Sequence, residues 1–397
     1  MDGLTPLALA ASLGHEGVVK LLLERENVDP NCVDKDGLTP LALAASLGHE
    51  GVVKLLLERE NVDPNHSAMD GLTPLVYATS QGYERVVKLL LERENVDPNH
   101  SAMDGQTPLA HAAAQGHRGV VKLLLERETV DPNRADENGQ IPLAHAAVRG
   151  HEGVVKLLLE REDVDPNHAD ESGQTSFACA ATRGHEGAVK LLLERGSVDP
   201  NYTESGQTPL VCAAAGGYEG VVKLLLEREI VDPNRADKAG RPPLRYAAIG
   251  GHEGVVKLLL EWESVDPNHA DEEGQTPLAC AAAQGYEGAV KLLLEREGVD
   301  PNRADKAGRP PLAYAAAKRH EGVVKLLLEQ ENVDPSRADG NGQKTPLMYA
   351  TVLPRDMKEW SSCCWNRKTS TPVVQMGTVK HHSRLLLLGD MKELSNY

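Results

Sequence analysis

Residues 2–31, DGLTPLALAASLGHEGVVKLLLERENVDPN, recur without a change at residues 36–65. The same frame returns along the chain, its TPL slot opening at Thr5, Thr39, Thr73, Thr107, Ile141, Thr175, Thr208, Pro242, Thr276, Pro310 and Thr345. The interval is 34 residues, except 33 before Thr208 and 35 before Thr345. A repeat of this length is one supersecondary unit that cannot bury its apolar face alone, so neighbours must stack to build a continuous core. A residue present in every copy therefore reads first as scaffold. Function is to be sought where the copies differ.

Residues 36–69 serve as the type repeat. Asp36-Gly37 is turn chemistry. Thr39 is placed to cap a helix and Pro40 to open it, where a missing N–H costs nothing. Leu41 to Leu47 predict a short Ala-rich helix, which Gly48 ends. His49-Glu50 start a second helix, with Glu50 near its positive end. Val52, Val53, Leu55, Leu56 and Leu57 give that helix a wide apolar stripe. Glu50 and Lys54 are spaced for an i,i+4 ion pair. Asn61 to Pro64 end the helix, and Asn65 to Asp70 project as a turn into the next unit.

Helix, tight turn, helix and projecting hairpin resemble the ankyrin repeat. The match is carried by G-x-TPL, the Ala-Ala pair, the Gly-His pair and VVKLLLE. The resemblance implies an all-α solenoid over residues 1–353, of ten helix-turn-helix units and the first helix of an eleventh, and a protein-binding role. Two departures stand out. The position after TPL, often His in the ankyrin pattern, is Ala8, Ala42, Val76 or Ala110, so the hydrogen bond tied to that His is not expected. Each unit also holds one extra residue within ERENVDPN, where a glycine would usually end the second helix. The ENVDPN exit is similar to arrays of filamentous-fungal ankyrin proteins.

Composition narrows the function classes. Apolar residues make up 41% of the 397, with one Phe, so the core is one of Leu, Val and Ala. The net charge is −17, and residues 354–397 hold more Lys and Arg than Asp and Glu, so the array is more acidic than the whole. That excludes non-specific nucleic-acid binding, which rests on neutralising phosphates. The opening MDGLTPLALAASLGHEG lacks the basic segment and apolar run of a signal peptide. No stretch reaches the ~18 apolar residues of a membrane span. Cys179, Cys212 and Cys280 share one column of the repeat, where stacked helices lie about 8–10 Å apart, too far for a disulfide. Reduced thiols point to the cytoplasm or nucleus. The N-x-S/T strings at Asn65, Asn99 and Asn201 then read as chance matches.

Chemistry is sought among the histidines first. One column reads His15, His49, Tyr83, His117, His151, His185, Tyr218, His252, Tyr286 and His320. A second reads His66, His100, Arg134, His168, Tyr202, Arg235, His269 and Arg303. Ligands of one ion sit about 2 Å from it, whereas column members are a repeat apart and interrupted by Tyr or Arg. The first column is read as structural hydrogen bonding at the helix start, the second as exposed hairpin residues. His15-Glu16 opens like a zinc protease helix, but the second ligand position is Val19. With no phosphate loop and no recurring nucleophile, no catalytic, metal or cofactor site is expected.

In ankyrin arrays, partners bind the concave face made by hairpin tips and first helices, which here implies three variable columns. Before TPL stand Leu4, Leu38, Leu72, Gln106, Gln140, Gln174, Gln207, Arg241, Gln275 and Arg309. Before the helix-ending glycine stand Leu13, Leu47, Gln81, Gln115, Arg149, Arg183, Gly216, Gly250, Gln284 and Lys318. At the tips stand Lys35, Met69, Met103, Glu137, Glu171, Lys238, Glu272 and Lys306. The face runs from apolar through amide-rich to basic. Two explanations stay open: drift among solvated positions after duplication, or a groove for an extended partner that is apolar at one end and acidic at the other.

Several irregularities remain. A residue is missing near Tyr202–Gly206, and Arg319 replaces the helix-ending glycine of the tenth unit, predicting strain. Trp262 takes the place of an Arg near the end of a second helix, on the outer surface. The first repeat should expose Leu and Val outward, as a piece of a longer array would, or one covered by another surface. Residues 354–397 form a divergent tail in which 381–394, HHSRLLLLGDMKEL, echoes the second helix and is a candidate cap. The expected function is a non-catalytic scaffold or adaptor. Its alternatives are the recognition arm of a larger receptor-like protein and an array that self-associates end to end.

Overall fold

The computed structural model describes residues 4–201 and 206–340, with 342, 344–346 and 348. Among these residues it is all-α: twenty helices in ten pairs and no strand. The candidate cap at 381–394 and the deletion at 202–205 lie outside the described residues.

The type repeat folds as its residues dictate. The inner helix runs Pro40–Ser46, its first amides capped by the Thr39 hydroxyl, which accepts from Ala42 N at 3.2 Å. Gly48 turns the chain at φ +75°, and the ring of Tyr83 from the next repeat lies against it where a Cβ would sit. The outer helix runs Glu50–Leu57 and buries Val52, Val53, Leu56 and Leu57. Stacking does the burying. Val52 is fully covered, whereas Val18, its counterpart in the identical first repeat, is 47% exposed, and Leu21 is 64% exposed. The expected outward Leu and Val of the first repeat are thus present on the surface.

Three polar seams tie each repeat to the next. At the hairpins, backbone meets backbone: Met69 N donates to Asp36 O at 3.0 Å and Lys306 N to Glu273 O at 2.9 Å. At the inner helices, the Gly-His histidines reach back one repeat. His49 Nε2 donates to Ser12 O at 2.9 Å, His185 to Val148 O at 2.8 Å and His252 to Ala215 O at 2.9 Å. These rings bridge repeats and make no side-chain cap bond to their own helices.

The third seam explains the DPN exit. The amide nitrogen of Asn31 donates to Asn61 O at 2.6 Å, while its oxygen accepts from Asp63 N at 2.8 Å, both in the following repeat. Asn65, Asn99, Asn133, Asn167, Asn234, Asn268 and Asn302 repeat the pair of bonds. Proline leaves the exit without a strand-like donor pattern, and a side-chain amide carries the donor and acceptor that replace it.

The Glu50–Lys54 ion pair does not form. Glu50 pairs with Arg85 of the next repeat at 3.4 Å. Elsewhere the same glutamate column lies along the stack: the carboxylates of Glu16, Glu84 and Glu152 fill the space a Cβ would take on Gly51, Gly119 and Gly187. Those glycines open the next outer helix, whose positive end attracts the carboxylate. Trp262 is half-buried at its helix end. The arginines in that slot, such as Arg93 and Arg161, donate to the preceding repeat at Leu57 O and Leu125 O.

Arg319 sits at φ 62° and ψ 36°, the one non-glycine residue with positive φ among those described. Left-handed backbone costs an L-residue about 1–2 kcal/mol. Arg319→Gly is expected to raise stability by about 1 kcal/mol, seen as a higher urea midpoint, whereas Arg319→Ala should give no gain. Asn133→Ala, which removes bonds to Asp163 O and Asp165 N, should cost about 1 kcal/mol and speed hydrogen exchange at the Asp165 amide.

Candidate functional site

The variable columns meet on one face because hairpin and inner helix are bonded to each other. In the fifth repeat, Asp136 lies at the base of the hairpin. Its Oδ1 accepts from Asn138 N at 2.9 Å and Gln140 N at 2.8 Å, closing the turn. Its Oδ2 accepts from His145 Nε2 at 3.0 Å, on the inner helix Pro142–Val148. Arg149 follows His145 by four residues and so shares its helix face. Tip, turn, helix centre and helix end thus present one side chain each per repeat.

The three expected columns differ in exposure. Residues before the glycine are exposed: Leu47, Gln81, Gln115, Arg149, Arg183, Gln284 and Lys318. Leu47 is 49% exposed, and the tip residues Met69 and Met103 are 69% and 68% exposed. The column before TPL is mostly half-buried, at Leu38, Leu72, Gln106, Gln140, Arg241, Gln275 and Arg309, with Leu4, Gln174 and Gln207 exposed. Arg149 is held across the repeat boundary by its bond from Nη1 to Ala114 O at 2.8 Å.

A fourth column was not read from the sequence as part of this face. Two residues past TPL stand Leu9, Leu43, Tyr77, His111, His145, Cys179, Cys212, Tyr246, Cys280 and Tyr314. Its signal was available: it varies among aliphatic, aromatic, imidazole and thiol while the residue that follows it is Ala in all ten repeats. Tyr77 donates to Asp70 Oδ2 at 2.7 Å, and Tyr246 and Tyr314 donate to Asp237 and Asp305 Oδ2 at 2.7 and 2.6 Å. Burial, then the Asp305 bond, pushes the Tyr314 hydroxyl up to about 12. Burial pushes the Cys179 and Cys280 thiols up to about 11, leaving poor nucleophiles at neutral pH. Burial also lowers His111 and His145 below the ordinary imidazole value, against the opposing pull of Asp104 and Asp136. His111 Nε2 is buried without a hydrogen-bond partner.

The basic end of the face is divided by its pairing. Arg241 and Arg309 are engaged inside their own repeats. Arg241 donates from Nε and Nη2 to Asp237 Oδ2 at 2.8 and 2.6 Å and lies 5.3 Å from the Tyr246 ring centre. Arg309 repeats this with Asp305, at 2.8 and 2.7 Å, over Tyr314 at 4.9 Å. Arg245, in the slot after TPL, crosses to Asp271 of the next repeat at 2.9 Å, both side chains nearly buried. Arg149 and Arg183 carry no such carboxylate and stand exposed.

Among the described residues, no group of three or more His, Cys, Asp or Glu converges to hold a metal ion. His168 of the hairpin column donates to Gly139 O at 3.1 Å. Cys32, Cys179, Cys212 and Cys280 are free thiols.

Asp237 links the site to stability. Burial by itself raises its carboxyl, but hydrogen bonds from Arg241, the backbone and Tyr246 outweigh burial and hold it at about 2, below the ordinary 3.8. The folded value lies below the unfolded one. The contribution is therefore complete above the ordinary value and disappears as pH falls toward the folded one. Asp237→Asn is expected to cost about 2 kcal/mol at neutral pH. In urea titrations the gap between wild type and variant should close below about pH 4.

A family model for ankyrin repeats in three copies matches residues 7–102, 94–170, 162–237, 229–305 and 297–357. Among solved structures the chain is similar to EF0377, an ankyrin repeat protein, with 29% identity over 48% of this chain and 96% of that one, at a TM-score of 0.45. No curated protein matches the sequence. The family model accounts for nearly all of the helical pairs, and the chain belongs to the ankyrin repeat family.

Proposed function

We propose that the protein is a non-catalytic scaffold or adaptor that binds another protein on the face shared by its hairpins and inner helices. Ankyrin repeats are generally protein–protein interaction modules and typically non-catalytic. The observation that carries the reading is the exposed column Leu47, Gln81, Gln115, Arg149 and Arg183, which passes from apolar to amide to basic along a nearly invariant scaffold. Its partner is a protein segment with carboxylates for the two arginines, which suit such groups. A net charge of −17 argues against nucleic acid. No helix among the described residues is long and apolar enough to cross a membrane. Reduced thiols support a cytoplasmic or nuclear setting.

A second reading has copies stacking through Val18 and Leu21; a mass that rises with concentration would favour it. The leading reading is tested by affinity capture, with the full chain as bait beside a bait carrying Arg149→Glu and Arg183→Glu. Arg241 and Arg309 are left intact, since reversing them would unpair the buried Asp237 and Asp305. The expected result is a partner whose affinity falls at least tenfold with the double variant. A partner held equally by both baits would place binding elsewhere.

A further inference from the structure

We infer that the partner segment is an extended, polyproline-II-like stretch read one residue in three, with apolar side chains facing the early repeats and carboxylates facing Arg149 and Arg183. This rests on the binding face proposed above and gives it a ligand. The rungs Leu13, Leu47, Gln81, Gln115, Arg149 and Arg183 each stand at the end of an inner helix, one per repeat, and all are exposed. Packed helices lie about 8–10 Å apart, which sets the rise between rungs.

Three conformations can be compared with that rise. A polyproline II segment advances about 3.1 Å per residue with three residues per turn, so every third side chain returns to the same edge after about 9 Å. A β-strand covers the distance in three residues as well, but its side chains alternate, so every second rung would meet none. An α-helix needs six or seven residues per rung at about 1.5 Å each.

The amides decide between the segment types. Among the described residues, the side-chain amides of Gln81, Gln106 and Gln115 make no hydrogen bond. A helix satisfies its own backbone and would offer them side chains only. Polyproline II has no internal hydrogen bonds, so its free N–H and C=O groups can pair with these amides.

The ends fix the chemistry. Leu13 and Leu47 are 55% and 49% exposed, a surface suited to apolar side chains. Two arginines call for two carboxylates. A polyacidic stretch would be opposed by the net charge of −17. The ligand is therefore mostly neutral, with its acids confined to one end.

The test uses the full chain and synthetic peptides, read by fluorescence anisotropy. The probe carries Leu, Leu, Asn, Asn, Glu and Glu at every third position with Pro or Ser between them. A comparison peptide of the same residue types places them at every fourth position. The three-spaced probe should bind at least tenfold more tightly than the four-spaced one. Arg149→Glu with Arg183→Glu should weaken it at least tenfold, and Arg149→Lys with Arg183→Lys should retain most of the binding. Equal affinity for both spacings, or no binding of the probe, would overturn the inference. The capture experiment would still decide whether the face binds a protein at all. Binding that ignores charge reversal would overturn both the ligand and the face.

Discussion

The asparagine that closes the DPN exits, with both its bonds at every described exit but that of Asn201, holds the array together where the backbone cannot. Every outer helix ends in a loop whose proline lacks a donor, so no regular ladder forms there. The Asn side chain substitutes for a peptide group and gives the carbonyl and amide of the next exit a partner each. The histidine seam does the same for the carbonyls that end the inner helices. Burial adds the larger, less specific term. A single repeat exposes the valines that two repeats cover, as Val18 and Val52 show with identical sequence around them. Apolar contact makes the repeats stack, and the polar seams fix how far each advances and turns.

Fixing that geometry frees the hairpin face. Its side chains are not needed to hold neighbouring repeats, apart from a few such as Arg149, which bonds to Ala114 O. The face divides into a stretch that is internally satisfied and one that is not. In the eighth and tenth repeats, carboxylate, guanidinium and phenol close on one another. These sets stabilise the hairpins on the inner helices and consume much of their own hydrogen-bonding capacity. From the second to the sixth repeat, leucine, amide and arginine rungs face outward with fewer obligations. A partner gains most where the protein has not already used its polar groups.

The missing ankyrin histidine is replaced in kind. The slot after TPL holds alanine or valine in the early repeats, and the hairpin carboxylates are met from one position later, by His145, Tyr246 and Tyr314. Where the turn has Ala68 in place of aspartate, Tyr77 reaches Asp70 instead. The need is for a donor from the helix to the hairpin, and the fold accepts it from either of two adjacent positions.

The sequence by itself determined the helices, their caps and their stacking, because these depend on residues close together and recur in every copy: Thr39 before Pro40, Gly48 after the Ala-rich run, the Val-Val-Lys-Leu-Leu-Leu stripe. It also located the strained turn at Arg319 and the face on which the copies vary. What it could not determine was the partner of each polar side chain. Those partners lie about thirty residues away in the next repeat, or across a hairpin, at distances set by the rotation between units. Tertiary structure alone turned Glu50 from Lys54 toward Arg85, directed His49 to Ser12, and separated the engaged Arg241 and Arg309 from the exposed Arg149 and Arg183. A charge in a sequence has a sign, but only the packed neighbours decide whether it is already neutralised.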